Sequence, residues 1–109
     1  MEEPIMTFEF EPGRFYQNDA DGQLIDEVTF QETNDHQSLI IDHTFVRPDH
    51  RGQGIAAQLI EQVIAYARQQ KQTIIPLCTY AQAYFKQHTD QDDILAPQNT
   101  ITAVQENSK

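Results

Sequence analysis

Apolar positions follow two different rhythms along this chain. As far as Val46 they come in short runs and alternations separated by polar turns; from Ile55 they recur with the period of a helix. Thr7-Phe8-Glu9-Phe10-Glu11 alternates as an edge strand does, until Pro12-Gly13 breaks it. Arg14 to Gln17 predicts a strand, Asn18 to Gly22 a turn, and Gln23 to Glu32 a second strand with Leu24, Val28 and Phe30 on one face. Asp26 interrupts that alternation and marks either a polar, substrate-facing point or an exposed edge. After the turn Thr33 to His36, strict alternation over Ser38 to Val46 puts Leu39, Ile41, His43 and Phe45 on one face and Ile40, Asp42, Thr44 and Val46 on the other. Apolar residues on both faces predict a central strand covered from two sides.

Ile55, Leu59, Ile60, Val63, Ile64 and Ala67 then form one stripe, which predicts a long amphipathic helix. Thr73 to Tyr80 is expected to return as a strand parallel to the third through a right-handed crossover, with Ile74, Pro76, Cys78 and Tyr80 on one face. Pro76 has no N–H to give, so pairing should weaken there. Gln82 to His88 reads as a short helix, and Asp90 to Lys109, poor in apolar residues, as a frayed or extended tail. The expectation is an α/β fold with a mixed sheet: an antiparallel meander, a central helix and a parallel strand. One domain should span residues 1–109, with its core at about 14–90 and a flexible tail at 91–109.

Composition narrows the class. With 39% hydrophobic residues, a mean hydropathy of -0.61 and no long apolar run, the expectation is a soluble protein without a membrane span or a signal segment. A single cysteine, Cys78, cannot close an internal disulfide and suits a reducing cytoplasm. The net charge of -10 is unevenly spread. Residues 1–42 carry eleven acids against one Arg, 47–71 carry four basic residues against two acids, and 72–109 carry two Lys against four acids. The one net-positive stretch, 47–71, is therefore the place for an anion. No basic stripe with interleaved aromatics is present, so nucleic acid is not an expected partner.

That stretch also holds the clearest local chemistry. Gly52 and Gly54 precede the helix, with Arg51 beside them. Glycine leaves room for a phosphate at the backbone, while the unpaired N–H groups and the dipole of a helix start attract one. Gly52-x-Gly54-x-x-Ala57 formally fits a dinucleotide-binding turn. The context does not fit: Arg47 to Arg51 separate strand from glycine, and no acid lies between Gln62 and Thr89 to hold a ribose. No Lys-Ser or Lys-Thr follows, which excludes a P-loop. On the motif alone, a glycine-containing helix start that binds nothing is the remaining alternative.

Arg51-Gly52-Gln53-Gly54-Ile55-Ala56 matches [QR]-x-x-G-x-[GA], the pyrophosphate-binding signature of the GNAT (GCN5-related N-acetyltransferase) superfamily. With His43-Thr44 before the loop and Pro76-Leu77-Cys78 after the helix, the chain resembles the small single-domain members, most strongly over Asp42 to His88. The resemblance implies transfer of an acetyl group from acetyl-CoA to a primary amine, either a small cationic amine or a lysine side chain. The alternative is a non-catalytic CoA-binding or protein-interaction module with the same fold. It also implies that the backbone of Phe45 and Val46 holds the pantetheine, and that the backbone of Arg51, Gly52, Gln53, Gly54, Ile55 and Ala56, with the Arg51 side chain, holds the pyrophosphate.

The usual N-terminal helix pair and much of the C-terminal hairpin are missing from the pattern. The acceptor side should then be open or completed by a second copy in a homodimer.

The catalytic positions are less clear in the sequence. Where the family pattern Y-x-x-x-G-F places a general-acid Tyr, this chain has Phe85, which leaves Tyr84, one residue away, and Tyr80 as candidates. Cys78, at the expected strand opening, could protonate a leaving thiolate or carry an acyl group; its other reading is a buried small hydrophobe. His43 is a candidate base for Cys78 or for the amine, against the reading of a hydrogen-bonded core histidine. Tyr66 reads as packing. His36, His43 and His50 stand seven apart without a ligand-spacing pattern, so no metal site is expected.

Overall fold

The computed structural model describes residues 8–107. It contains one five-stranded sheet in sequence order: β1 (Glu9–Glu11), β2 (Arg14–Asn18), β3 (Leu24–Glu32), β4 (Ser38–Val46) and β5 (Thr73–Pro76). β1 to β4 are antiparallel neighbours, and β5 lies parallel to β4 after a crossover through α1 (Ile55–Gln70). The expected edge strand is thus present as β1; Met1 to Thr7 lie outside the described residues.

The stripe read for α1 is the buried stripe: Ile55, Leu59, Ile60, Val63, Ile64 and Ala67 all face the sheet. They pack on Val28, Phe30, Leu39, Ile41 and Ile74, which form one face of the sheet. Tyr66 joins an aromatic group with Phe10, Phe15 and Phe30, at ring-centroid distances of 5.4, 6.2 and 5.6 Å. The same face carries α2 (Thr79–Gln87) beside α1, with Ala81, Tyr84 and Phe85 in the same core.

The tail expectation is corrected. Thr89–Ile94 forms a 3₁₀ helix and Gln98–Asn107 forms α3. Ile94 enters the main core, while Ala96 and Ile101 cover Ile75 and Ile40 on the opposite face of the sheet. The Ala96 N–H donates to the Ile74 carbonyl at 3.0 Å, and Leu95 bridges to Ile74, so this segment also caps the open edge of β5. Its few apolar residues are placed where both tasks need them.

Two further corrections shape the site. The β3–β4 register passes from Thr29↔His43 to Phe30↔Ile41, leaving Asp42 as an extra residue in β4. The bulge reverses the parity above it. Thr44 and Val46, paired with Val28 and Asp26, continue the helix-covered face of Leu39 and Ile41, whereas His43 and Phe45 turn to the other face. The expected face shared by Leu39, Ile41, His43 and Phe45 is therefore broken at Asp42. β5, for its part, ends at Pro76 rather than Tyr80. The last ladder pair is Ile41↔Pro76, after which the Leu77 and Cys78 N–H groups both donate to the Ile41 carbonyl at 3.0 Å. Two donors on one acceptor end the ladder, and Cys78 and Tyr80 leave the sheet to begin α2.

Asp26 is not an exposed edge. It has 0% of its surface accessible and lies on the helix-covered side with Val28 and Phe30.

Candidate functional site

Because β5 ends at Pro76 while β4 continues to Val46, the two parallel strands part beyond Ile41. A cleft of about 450 Å³ opens at the upper end of β4, lined by Thr44, Phe45, Val46, His50, Arg51, Gly52, Gly54, Ile55, Ala56 and Tyr80. Apart from Gln53, every residue expected to hold the cofactor is on its wall. Thr44 and His50 are additions. Thr44 was hidden by the bulge, which alone brings it to this side of the sheet.

The loop is built by short-range constraints. Pro48–His50 forms a 3₁₀ turn, and the Arg47 guanidinium is clamped between Asp19 at 2.8 Å and Asp49 at 2.7 Å. Arg51 donates from Nε to the Val46 carbonyl at 2.9 Å, which ties the loop to the strand and keeps a cation on the cleft wall. Gly52 and Gly54 have φ of 83° and 77°, a region that side-chain-bearing residues enter only with strain. A Cβ at either position would meet no protein atom within 4 Å, so the glycines leave open space. Gly54 is the N-cap of α1; no side chain caps this helix start, and its first turn contains no acid. Its free N–H groups and dipole are left to an anion. Among the described residues no carboxylate lines the cleft, although the chain as a whole carries -10.

Opposite the loop stands the start of α2, with Cys78 as its N-cap, behind the lining residue Thr44. The Cys78 Sγ accepts from the Ala81 N–H at 3.3 Å and lies 3.4 Å from Thr44 Oγ1. Tyr80, the second residue of α2, is 42% exposed and lines the cleft. Tyr84 does not. It is buried, donates its hydroxyl to Glu61 Oε2 at 3.0 Å, and stacks on His88 with centroids 4.0 Å apart. Burial, reinforced by the Glu61 carboxylate, pushes its phenol pKa up. Phe85 is core. His43 stands apart from Cys78: exposed on the other face of the sheet, it has Nε2 3.3 Å from Glu27 Oε2. Glu27 in turn accepts from Arg14 at 2.8 Å. The partner of the thiol is Thr44; His43, a candidate base for Cys78 or for the amine, is paired with Glu27 on the other face and does not contact the thiol. On that exposed face the Thr29 hydroxyl donates to Asp42.

Beneath the cleft lies Asp26, the cross-strand neighbour of Val46. Burial pushes its carboxyl up to about 6, against a smaller opposing pull from His50. Among the described residues no group of three or more His, Cys, Asp or Glu is placed to hold a metal ion, and no helix is long and apolar enough to cross a membrane.

Residues 14–94 match the family model described as GCN5-related N-acetyl-transferase. The chain belongs to that family. None of the curated proteins matches the sequence. Among solved structures, the GNAT chain is similar to a GCN5-like protein of the N-acetyltransferase class from Staphylococcus aureus, at 26% identity and a TM-score of 0.69, over 83% of this chain and 87% of that one. A GNAT family N-acetyltransferase from Escherichia coli, solved in complex with CoA, aligns at 23% identity and a TM-score of 0.51, over 59% of this chain and 38% of that one. An acetyltransferase from Clostridium acetobutylicum, solved with acetyl-CoA, aligns at 16% identity and a TM-score of 0.53, over 69% and 55%. The last two share the fold and are longer chains.

Proposed function

We propose that this GNAT protein is an acetyl-CoA-dependent N-acetyltransferase whose acceptor is a primary amine, either a small cationic amine or a lysine side chain. The observation that carries the reading is the cleft that joins an uncapped, glycine-bounded helix start to Tyr80 and Thr44 where β4 and β5 part, with Cys78 in contact with Thr44. Acetyl-CoA supplies the activated acetyl thioester. The chain's own groups then divide the work. The helix start with Gly52, Gly54, Arg51 and His50 holds the diphosphate, and the upper edge of β4 at Phe45 and Val46, free of β5, offers backbone groups to the pantetheine amides.

At the far end we assign Tyr80, on the cleft wall, as the phenol that protonates the departing CoA sulfur, since Tyr84 is engaged with Glu61. We assign Cys78, held by the Ala81 N–H and Thr44, as the group that accepts the acetyl before the amine takes it. In that sequence the Cys78 sulfur, its proton passed to solvent, displaces the CoA sulfur at the acetyl carbonyl, and CoA leaves with the proton of Tyr80. The amine then displaces the cysteine sulfur, and the proton it gives up restores Tyr80.

One observation favours a second reading, a CoA-binding module without catalysis. The position that resembles the family's acid is Phe85, a core residue without a hydroxyl. Incubation with acetyl-CoA and a panel of polyamines, lysine peptides and arylamines, followed by mass spectrometry of the acceptors and titration of free CoA thiol, separates the two. Acetylated amine formed in step with free thiol is the result expected of the enzyme. Binding of acetyl-CoA with no acetylated acceptor would establish the module.

A further inference from the structure

The mechanism above leaves one buried ionisable group unused. Asp26 has no accessible surface, and among the described residues neither of its carboxylate oxygens has a hydrogen-bond partner. Its cross-strand neighbour on β2 is Gln17, whose Nε2 is also buried and without a protein partner, and the β2–β3 register shifts just beyond, between Gln17 and Asn18. A buried carboxylate in this state costs stability, and an apolar residue would continue the Val28–Phe30 face without that cost. The position it occupies is therefore informative. Val46, its neighbour on β4, lines the cleft, and the Arg47 N–H that opens the loop donates to the carbonyl of Ile25, one residue away, at 2.7 Å.

The groups that share its surroundings are few. From the 3₁₀ turn His50 is the charged neighbour it senses, itself on the cleft wall and 3.8 Å from Asp49. Arg51 is tied to the carbonyl of Val46. β2 presents the neutral Gln17, and the first turn of α1 contains no acid. Arg47 is neutralised by Asp19 and Asp49.

We propose that Asp26 is a positioning residue of the anion cradle, one that takes up a proton when the diphosphate of CoA binds, so that cosubstrate affinity falls as pH rises. The inference rests on the cleft being the CoA site. When Asp26 is ionised, its charge opposes the incoming phosphates from below and competes with them for His50, the charged neighbour it senses. When it is protonated, that opposition is removed and His50 and Arg51 are left to the ligand. The carboxyl of Asp26 changes charge near pH 6, close enough to neutrality for the link to operate. His50 shares the cleft wall and senses Asp26, so its contribution must be separated from that of Asp26.

The test is calorimetric titration of CoA into the full chain and its D26N and H50Q variants at pH 5.5 and pH 8, in buffers of different ionisation enthalpy. The parent should bind more weakly at pH 8 and take up protons on binding. Asp26→Asn should tighten binding at pH 8 by several-fold or more, the effect of removing a buried unit charge beneath an anion site. At pH 5.5 it should change little, and His50→Gln should retain part of the pH dependence. Equal effects of Asp26→Asn at both pH values, or a pH dependence abolished by His50→Gln alone, would overturn the proposal while leaving the CoA site intact. Failure of the parent to bind CoA at either pH would overturn the site reading and this inference with it.

Discussion

The two walls of the cleft are made in different ways. The anion wall, Arg47 to Ala56, takes its shape from neighbours in sequence, a proline-started turn, two left-handed glycines and a helix start that no side chain caps, and is anchored to the sheet through Arg47, by Asp19 and the Ile25 carbonyl. The other wall, Tyr80 on α2 with Cys78 capping the same helix, depends on strand β4 for its place. Leu77 and Cys78 hang from the Ile41 carbonyl, and Cys78 touches Thr44. The donors of the anion wall all come from one loop. A wall assembled across the sheet can be disabled by one side chain without disturbing the other. Binding and chemistry should therefore separate cleanly under mutation.

The largest separation is expected at Cys78. Cys78→Ala should reduce turnover by on the order of 10²–10⁴-fold, the range that one positioned catalytic group contributes, while CoA affinity stays within a few-fold. Steady-state kinetics beside calorimetry reads both. Full turnover in Cys78→Ala would move the chemistry to direct attack on the thioester, with Tyr80 as the acid. The neighbour also has a readout: Thr44→Val should slow turnover less than Cys78→Ala, and iodoacetamide labelling of Cys78 should be retarded by bound CoA.

Asp26 tests how the anion wall is founded. Its carboxyl is raised from 3.8 to about 6, so between these values the folded chain binds more protons than the unfolded one. Stability should then fall as pH rises through this window and level off above it, a loss of about 3 kcal/mol from a shift of about two units. Asp26→Asn should remove that slope and be the more stable protein at pH 8, as urea unfolding at several pH values would show. A parent whose stability rises between pH 4 and 6 and an Asn variant weaker at pH 8 would mean that Asp26 is partnered.

The two tyrosines sharpen the same contrast. Tyr80→Phe should lower turnover by about tenfold or more with stability unchanged, since its ring is exposed on the wall. Tyr84→Phe should leave turnover nearly intact and cost about 1–2 kcal/mol, because Glu61 loses a donor. The reverse assignment of effects would make Tyr84 the acid.

The smallest effect concerns the acceptor. Eleven acids among the first 42 residues, against one Arg, should favour cationic amines, so turnover should drop a few-fold as salt approaches 1 M, where the screening length is about 3 Å. Turnover that is indifferent to salt, or fastest with neutral arylamines, would remove this preference.

What could be read in the chain follows the same division. The stripe of α1 and the glycines before it are local patterns, and they appear as expected. The position of Thr44 was not legible, because strict alternation has no means of announcing the bulge at Asp42; two polar residues, Asp42 and His43, within an apolar strand were the available hint. Cys78 as a helix cap was missed because Thr73 to Tyr80 reads as one extended run, and only the shared Ile41 carbonyl shows where it stops. α3 reads as a tail in the sequence because the apolar surface that Ile101 and Val104 cover, Ile75 and Ile40, is assembled only by the fold. Asp26 showed only as an interruption of a pattern. Its burial is a property of the helix laid over it.

The most direct test of the account is a calorimetric titration of acetyl-CoA into the parent chain and into Gly54→Val. The φ of 77° at Gly54 disfavours a β-branched residue, and its Cβ would project into the open space where a phosphate must come. The account predicts one-to-one binding to the parent and a loss of tenfold or more, about 1.4 kcal/mol, in a folded Gly54→Val protein, with NAD and ATP binding far more weakly than acetyl-CoA to the parent. Unchanged acetyl-CoA affinity in folded Gly54→Val would contradict it.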